Sequence, residues 1–158
     1  MRMLVLLAGV AWMVGCGDDS SGPSIPTVAG VYQGTYTLTA SSEGGEENLG
    51  PLPATATINQ DESDIFIGIT DPQGTVSATF IGTIAPGGAI TLDDDPDLSA
   101  LEDLFPECTF TDAVATNGAS VVGETLVVTV DVVNAFCPWP EAGGDVLPTE
   151  FQFRFEGS

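Results

Sequence analysis

The 158-residue chain has no histidine and no lysine, and its only bases are Arg2 and Arg154, set against 23 aspartates and glutamates for a formal charge of −21. Without an imidazole, Ser-His-Asp and Cys-His nucleophilic catalysis is excluded, as is a Ser-Lys pair without a lysine. His-based zinc sites are excluded for the same reason. Walker and dinucleotide-binding glycine motifs are absent. Lys/Arg clusters, which release counterions from phosphates, are missing too, so nucleic acid is excluded as a direct partner, and so is electrostatic docking onto anionic lipid. Any charged partner is a cation, a basic protein or a metal ion. The acidic surface by itself serves solubility and self-repulsion. Carboxylate-only chemistry of the glycosidase type is the one catalytic route left. The carboxylates single out no pair for it, and the Glu43/Glu46/Glu47 loop reads as solvated, so the expectation is a protein that is not an enzyme and holds no cofactor.

The chain also lacks a long hydrophobic run. Met3 to Val14 is apolar or small throughout, too short for the ~20 residues of a membrane-spanning helix but suited to the apolar region of a secretory leader behind Arg2. It ends in Met13-Val14-Gly15-Cys16. This resembles the lipobox of bacterial lipoproteins, with Met13 where leucine is usual. The resemblance implies that residues 1–15 are a signal peptide removed before Cys16, and that Cys16 is the lipidated first residue of the mature chain. Two or more acyl chains anchor stably, each buried CH₂ contributing about 0.8 kcal/mol. The implied location is the cell envelope, held to the membrane by lipid. Gly17, where the enteric sorting rule retains proteins carrying Asp in the inner membrane, favours the outer membrane. Residues 16–29 read as the lipidated cysteine and a Gly/Ser/Asp/Pro-rich flexible tether.

Residues 30–158 read as a single β domain. Helical periodicity is nearly absent and alternation is frequent. Tyr32, Tyr36, Leu38 and Ala40 share one face, as do Leu52, Ala54, Ala56 and Ile58; Ile65, Ile67 and Ile69; Val76, Ala78, Phe80 and Ile84; Ile90 and Leu92; Leu126, Val128, Val130 and Val132; and Phe151, Phe153 and Phe155. Asp71-Pro72-Gln73-Gly74 and Pro86-Gly87-Gly88 are turns, and Gly82 is a bend. Short sequential turns predict an all-β antiparallel meander that closes as a small barrel of about eight strands, with a β-sandwich as the alternative. One short helix is expected over 96–105, capped by Asp95 with Pro96 in its first turn. It carries Leu98, Leu101, Leu104 and Phe105 as one apolar stripe that plugs or covers an end of the sheet. The start Gly30-Val31-Tyr32, then Gly34-Thr35-Tyr36, resembles the glycine-x-aromatic opening of lipocalin-like barrels, which implies an eight-stranded barrel holding one small apolar ligand.

With Cys16 spent on lipid, Cys108 and Cys137 remain for a disulfide, as expected of an exported chain. A hairpin turn at Gly123-Glu124 sets residue 108 opposite 139, next to 137. Closing about 30 residues stabilises by roughly 3–4 kcal/mol in the chain-entropy model. Asn117-Gly118, the competing turn, is read as a bulge or bend. Asp93, Asp95 and Asp97 have the alternate spacing of a calcium loop's first half. Pro96, Leu98 and Leu104 depart from an EF-hand, leaving a looser Ca²⁺ loop or an acidic helix start as the two readings. Trp139, between Pro138 and Pro140, and Tyr32 and Tyr36 are the candidate contacts for a ligand or partner. Function divides between a membrane-anchored, extracytoplasmic, non-catalytic binding module for a small apolar ligand or a protein partner and a structural or interaction lipoprotein of the envelope with a filled core.

Overall fold

The structure, a computed structural model, describes residues 24–93 and 98–158; the leader, Cys16, most of the tether, Asp95 and Asp97 lie outside them. Alternating apolar residues produce eight strands: β1 (Gly30–Ser42), β2 (Gly45–Asp61), β3 (Asp64–Thr70), β4 (Ser77–Ile84), β5 (Ile90–Leu92), β6 (Val114–Val122), β7 (Thr125–Trp139) and β8 (Asp145–Gly157). Between β5 and β6 lies one short helix, α1 (Ser99–Leu104). All pairings are antiparallel, in one sheet ordered β5-β4-β3-β2-β1-β8-β7-β6, a meander curled into a nearly closed barrel. A two-sheet sandwich is thereby excluded.

The first and last strands close the barrel, pairing from Gly34↔Gly157 to Ser41↔Glu150. The gap falls instead between β5 and β6. No ladder joins them among the described residues; the Asn117 amide donates to the Asp93 carbonyl across the seam at 2.8 Å. Gly34 and Gly157 are required where β1 crosses β8. A Cβ at Gly34 would run into the Glu156 carbonyl and the Gly157 Cα, and one at Gly157 would sit 2.6 Å from the Phe155 ring.

Period-two alternation sends the expected faces inward. Tyr36, Leu38, Ala40, Ile65, Ile67 and Ile69, and the stripes on β7 and β8, are buried in one core. Tyr36 stacks on Phe153 at 5.8 Å, and Phe151 packs against Phe105 and Phe110. Leu52 departs from the expected face pattern, remaining 37% exposed. The β2·β3 ladder stops at Thr55↔Thr70, so the stretch of β2 around Leu52 has only β1 beside it. Gly82 is no bend: it pairs with Ile65 and Leu92 inside a continuous β4, where a side chain would meet the Thr91 carbonyl.

The helix is shorter than expected. It runs from Ser99 rather than from 96, with Leu98 at the N-cap and no side-chain cap. Leu98, Leu101, Leu104 and Phe105 still form the apolar stripe, half-buried against the core. Turns form at Asp71–Gly74 and Ala85–Gly88, each closed by a backbone hydrogen bond from the last residue to the first. Residues 26–28, at the end of the segment read as tether, lie against the barrel. Val28 is buried, its N–H donates to the Gln60 side chain, and Gln60 donates to the Pro26 carbonyl. The chain therefore enters at the end that carries the β2–β3, β4–β5 and β6–β7 turns. The tip of the β1–β2 hairpin, α1 and the β7–β8 connection lie at the far end.

Gly34→Ala is expected to lower unfolding free energy by about 1–3 kcal/mol in equilibrium denaturation, as overpacking does. Gly87→Ala, with open space around its Cβ, is expected to leave stability unchanged or raise it by up to about 1 kcal/mol.

Candidate functional site

Cys108 and Cys137 form a disulfide at the far end, with Cα atoms 4.3 Å apart. The hairpin turns at Gly123-Glu124, as Val122↔Thr125 shows. Asn117-Gly118 is neither bulge nor bend, pairing regularly with Val130 and Thr129. Carried past Val114↔Val133, that register would set Cys108 opposite Trp139. Pairing instead resumes two residues out of step at Thr109↔Phe136, which puts Cys108 opposite Cys137. The slip coincides with a bulge in β7 between Val132 and Ala135, where Asn134 takes a left-handed φ of 63°. A bulge displaces one residue and re-aims the strand beyond it, and here it carries Cys137 and Trp139 to the mouth of the barrel.

Trp139 is turned inward and 3% exposed; its indole N–H donates to the Thr149 hydroxyl at 2.9 Å, which in turn donates to the Leu147 carbonyl at 3.1 Å. Thr149 is buried and has both roles of its hydroxyl filled. Tyr36 is buried in the core, and Tyr32, half-buried, donates its hydroxyl to the Val28 carbonyl at 2.8 Å. Of the three candidate contact residues, Trp139 lines a surface cleft, Tyr36 lines the space inside the barrel and Tyr32 secures the entry segment. Burial raises the pKa of Tyr32. Burial, and then the Asp71 carboxylate, raises that of Tyr36.

The barrel interior is nearly filled. Beneath α1, walled by Tyr36, Leu38, Phe80, Val130 and Phe153, one cavity measures about 40 Å³, room for a few waters at about 10–15 Å³ each. A larger cleft of about 260 Å³ opens beside it at the far end. It is lined by Ala40, Leu104, Phe105, Phe151, Trp139, the disulfide and three prolines, and its charged lining residues are Glu47 and Glu107, both exposed. Sequence reasoning pointed to Trp139 but missed Glu47 and Glu107. They stand 60 residues apart and come together only because β2 and the α1–β6 connection share one barrel end. A slot of about 350 Å³ follows the β5/β6 seam, lined by Ile90–Leu92 and Ala115–Gly118, with no aromatic or ionisable side chain.

Asp93 is exposed, and its carbonyl is engaged by Asn117. Its calcium-loop partners Asp95 and Asp97 lie outside the described residues. Among the described residues, no three His, Cys, Asp or Glu side chains gather as a metal-binding group.

Thr149→Val is expected to cost about 1–3 kcal/mol by leaving the buried Trp139 N–H unpaired, with Thr149→Ser close to wild type; chemical denaturation reads both. The contribution of these two tyrosines to stability is expected to be full below pH ~10, where unfolded tyrosine titrates, and to be lost as pH rises through the raised folded values. Above pH ~10 the unfolded chain loses phenol protons that the folded chain retains, so it binds fewer protons and is favoured. Tyr36→Phe should flatten this alkaline decline in pH-dependent melts.

The chain matches no protein-family model, no curated protein and no solved structure, and its function has to be read from its own residues.

Proposed function

We propose that this protein is an exported, lipid-anchored, non-catalytic binding module that uses the cleft at the far end of its barrel. Volume and lining carry the reading: the pocket beneath α1 measures about 40 Å³ and the cleft about 260 Å³, while the slot of about 350 Å³ at the seam has no aromatic or ionisable side chain. The lipocalin-like arrangement, with a small apolar ligand inside, needs a chamber that Phe151, Phe153, Phe155 and the α1 stripe already occupy. Small-molecule sites are concave and mostly apolar, with a few placed polar groups. The cleft has that make-up, and the disulfide holds its rim.

The lipobox-like leader supports anchorage at Cys16, outside the described residues. The docked segment Pro26–Val28 brings the chain in at the end of the barrel opposite the cleft. Non-catalysis rests on chemistry. The cleft lining offers no imidazole, amine or free thiol, and Thr149, its only hydroxyl-bearing side chain, is committed to Trp139 and Leu147. Carboxylate-only chemistry needs a sheltered acid, whereas Glu47 and Glu107 are both exposed.

In producing cells the wild-type chain is expected to pellet with membranes and to incorporate labelled fatty acid, with both properties lost in Cys16→Ser. A soluble, unacylated wild type overturns the anchorage. Saturable uptake of a fluorescent fatty acid that quenches Trp139 and is lost on enlarging core residue Ala78 would move the site into the barrel and overturn the cleft assignment.

A further inference from the structure

We propose that the far-end cleft selects an organic cation, an amidinium, guanidinium or ammonium group on a small apolar frame. This inference rests on the cleft being the binding site and goes on to name the ligand chemistry.

Hydrogen-bonding capacity in the cleft is one-sided. Glu47 and Glu107 are the charged residues lining the cleft, and ionised carboxylates only accept hydrogen bonds. The remaining side-chain donors are spent: the Trp139 N–H on Thr149, and the Thr149 hydroxyl on Leu147. Backbone donors are scarce as well. Pro106, Pro138 and Pro140 have no N–H, and the N–H groups of Phe105 and Cys108 are bonded to the Leu101 and Phe105 carbonyls. A carboxylate or phosphate ligand would find acceptors facing acceptors. A cationic donor meets a lining whose charged residues, Glu47 and Glu107, are both acidic, and Phe105 in that lining supplies an aromatic ring of the kind that attracts cations.

The long-range field acts in the same direction. Glu43, Glu46, Glu141 and Asp145 sit on the hairpin tip and the β7–β8 connection at this end. Arg154, the only base among the described residues, is on β8 and paired with Glu156 at 2.8 Å. No positive side chain opposes a cation at the cleft. The volume limits the ligand: about 260 Å³ lies below the ~300–1,000 Å³ of drug-sized sites, which suits one aryl or short alkyl cation, or a single basic side chain of a partner.

The test is titration of the ¹⁵N-labelled exported chain at 0.15 M salt, where exposed charges are screened beyond about 8 Å, with benzamidine, benzamide and benzoate as a charge series of one shape. Benzamidine is expected to shift the Trp139 indole and Glu107–Cys108 amide signals saturably. Benzamide should bind at least fivefold more weakly and benzoate not at all. Glu47→Gln/Glu107→Gln should weaken benzamidine at least fivefold with an unchanged melting temperature. A peptide Gly-Arg-Gly that gives the same shifts assigns the cation to a partner's side chain, and shifts from benzamidine alone assign it to a free small molecule. Equal binding of benzamide and benzamidine overturns the cation selectivity and leaves the cleft standing as a binding site. Benzamidine shifts scattered over the acidic surface overturn the selectivity as well, and no response to any probe overturns both readings.

Discussion

The pairing of β1 with β8 is the constraint on which the rest of this protein depends. It joins the two ends of the domain, from Gly34↔Gly157 to Ser41↔Glu150, and turns a linear meander into a barrel. In one ladder it aligns Tyr36 with Phe155, Leu38 with Phe153 and Ala40 with Phe151, all facing inward. Those aromatic rings fill the interior. The two glycines at its edge let the strands cross where a side chain would strike the β8 backbone at Gly34 and the Phe155 ring at Gly157. Because this contact is the most non-local in the chain, its loop-closure cost is met only once the intervening strands are in place.

With its interior nearly filled, the barrel keeps its open space at the far end and along the seam, and its charge lies mostly outside the strands. The outward side chains of β3 to β6 are almost free of charge: Phe66, Thr70, Thr79, Ile81, Thr83 and Thr116 are typical. The carboxylates collect in turns, connections and the tip of the β1–β2 hairpin. Net repulsion is thus spread toward the poles, which serves solubility and leaves the far end strongly negative. There the bulge in β7, the two-residue slip and the disulfide act together. The bulge re-aims the strand, the slip brings Cys108 opposite Cys137, and the covalent bond holds the connection after α1 against β7. The cleft is the space these irregularities leave beside a regular sheet.

Much of this was legible in the residues themselves. A period-two pattern states which side chains share a face, and pleat geometry needs no partner to make that so. The β1, β3, β7 and β8 core faces, the turns at Asp71–Gly74 and Gly123-Glu124, and the disulfide could therefore all be read in advance. The helix was legible as an apolar stripe but not in its length: Asp95 and Pro96 favour a helix start, yet the turn begins at Leu98. Leu52 had the right period, but its burial depended on a β3 neighbour that stops short at Thr70.

The sequence by itself determined the all-β class and most of the inward faces, because composition and alternation are local properties. Only the tertiary structure decided that the barrel closes through its first and last strands and leaves its seam at β5/β6. It also decided that the interior is nearly full, and that Glu47 and Glu107 come to line one cleft with Trp139. These depend on register and on which strands become neighbours, and a one-residue shift in pairing moves a whole set of side chains to the other face. No local pattern specifies that choice; it is settled by how the assembled faces pack.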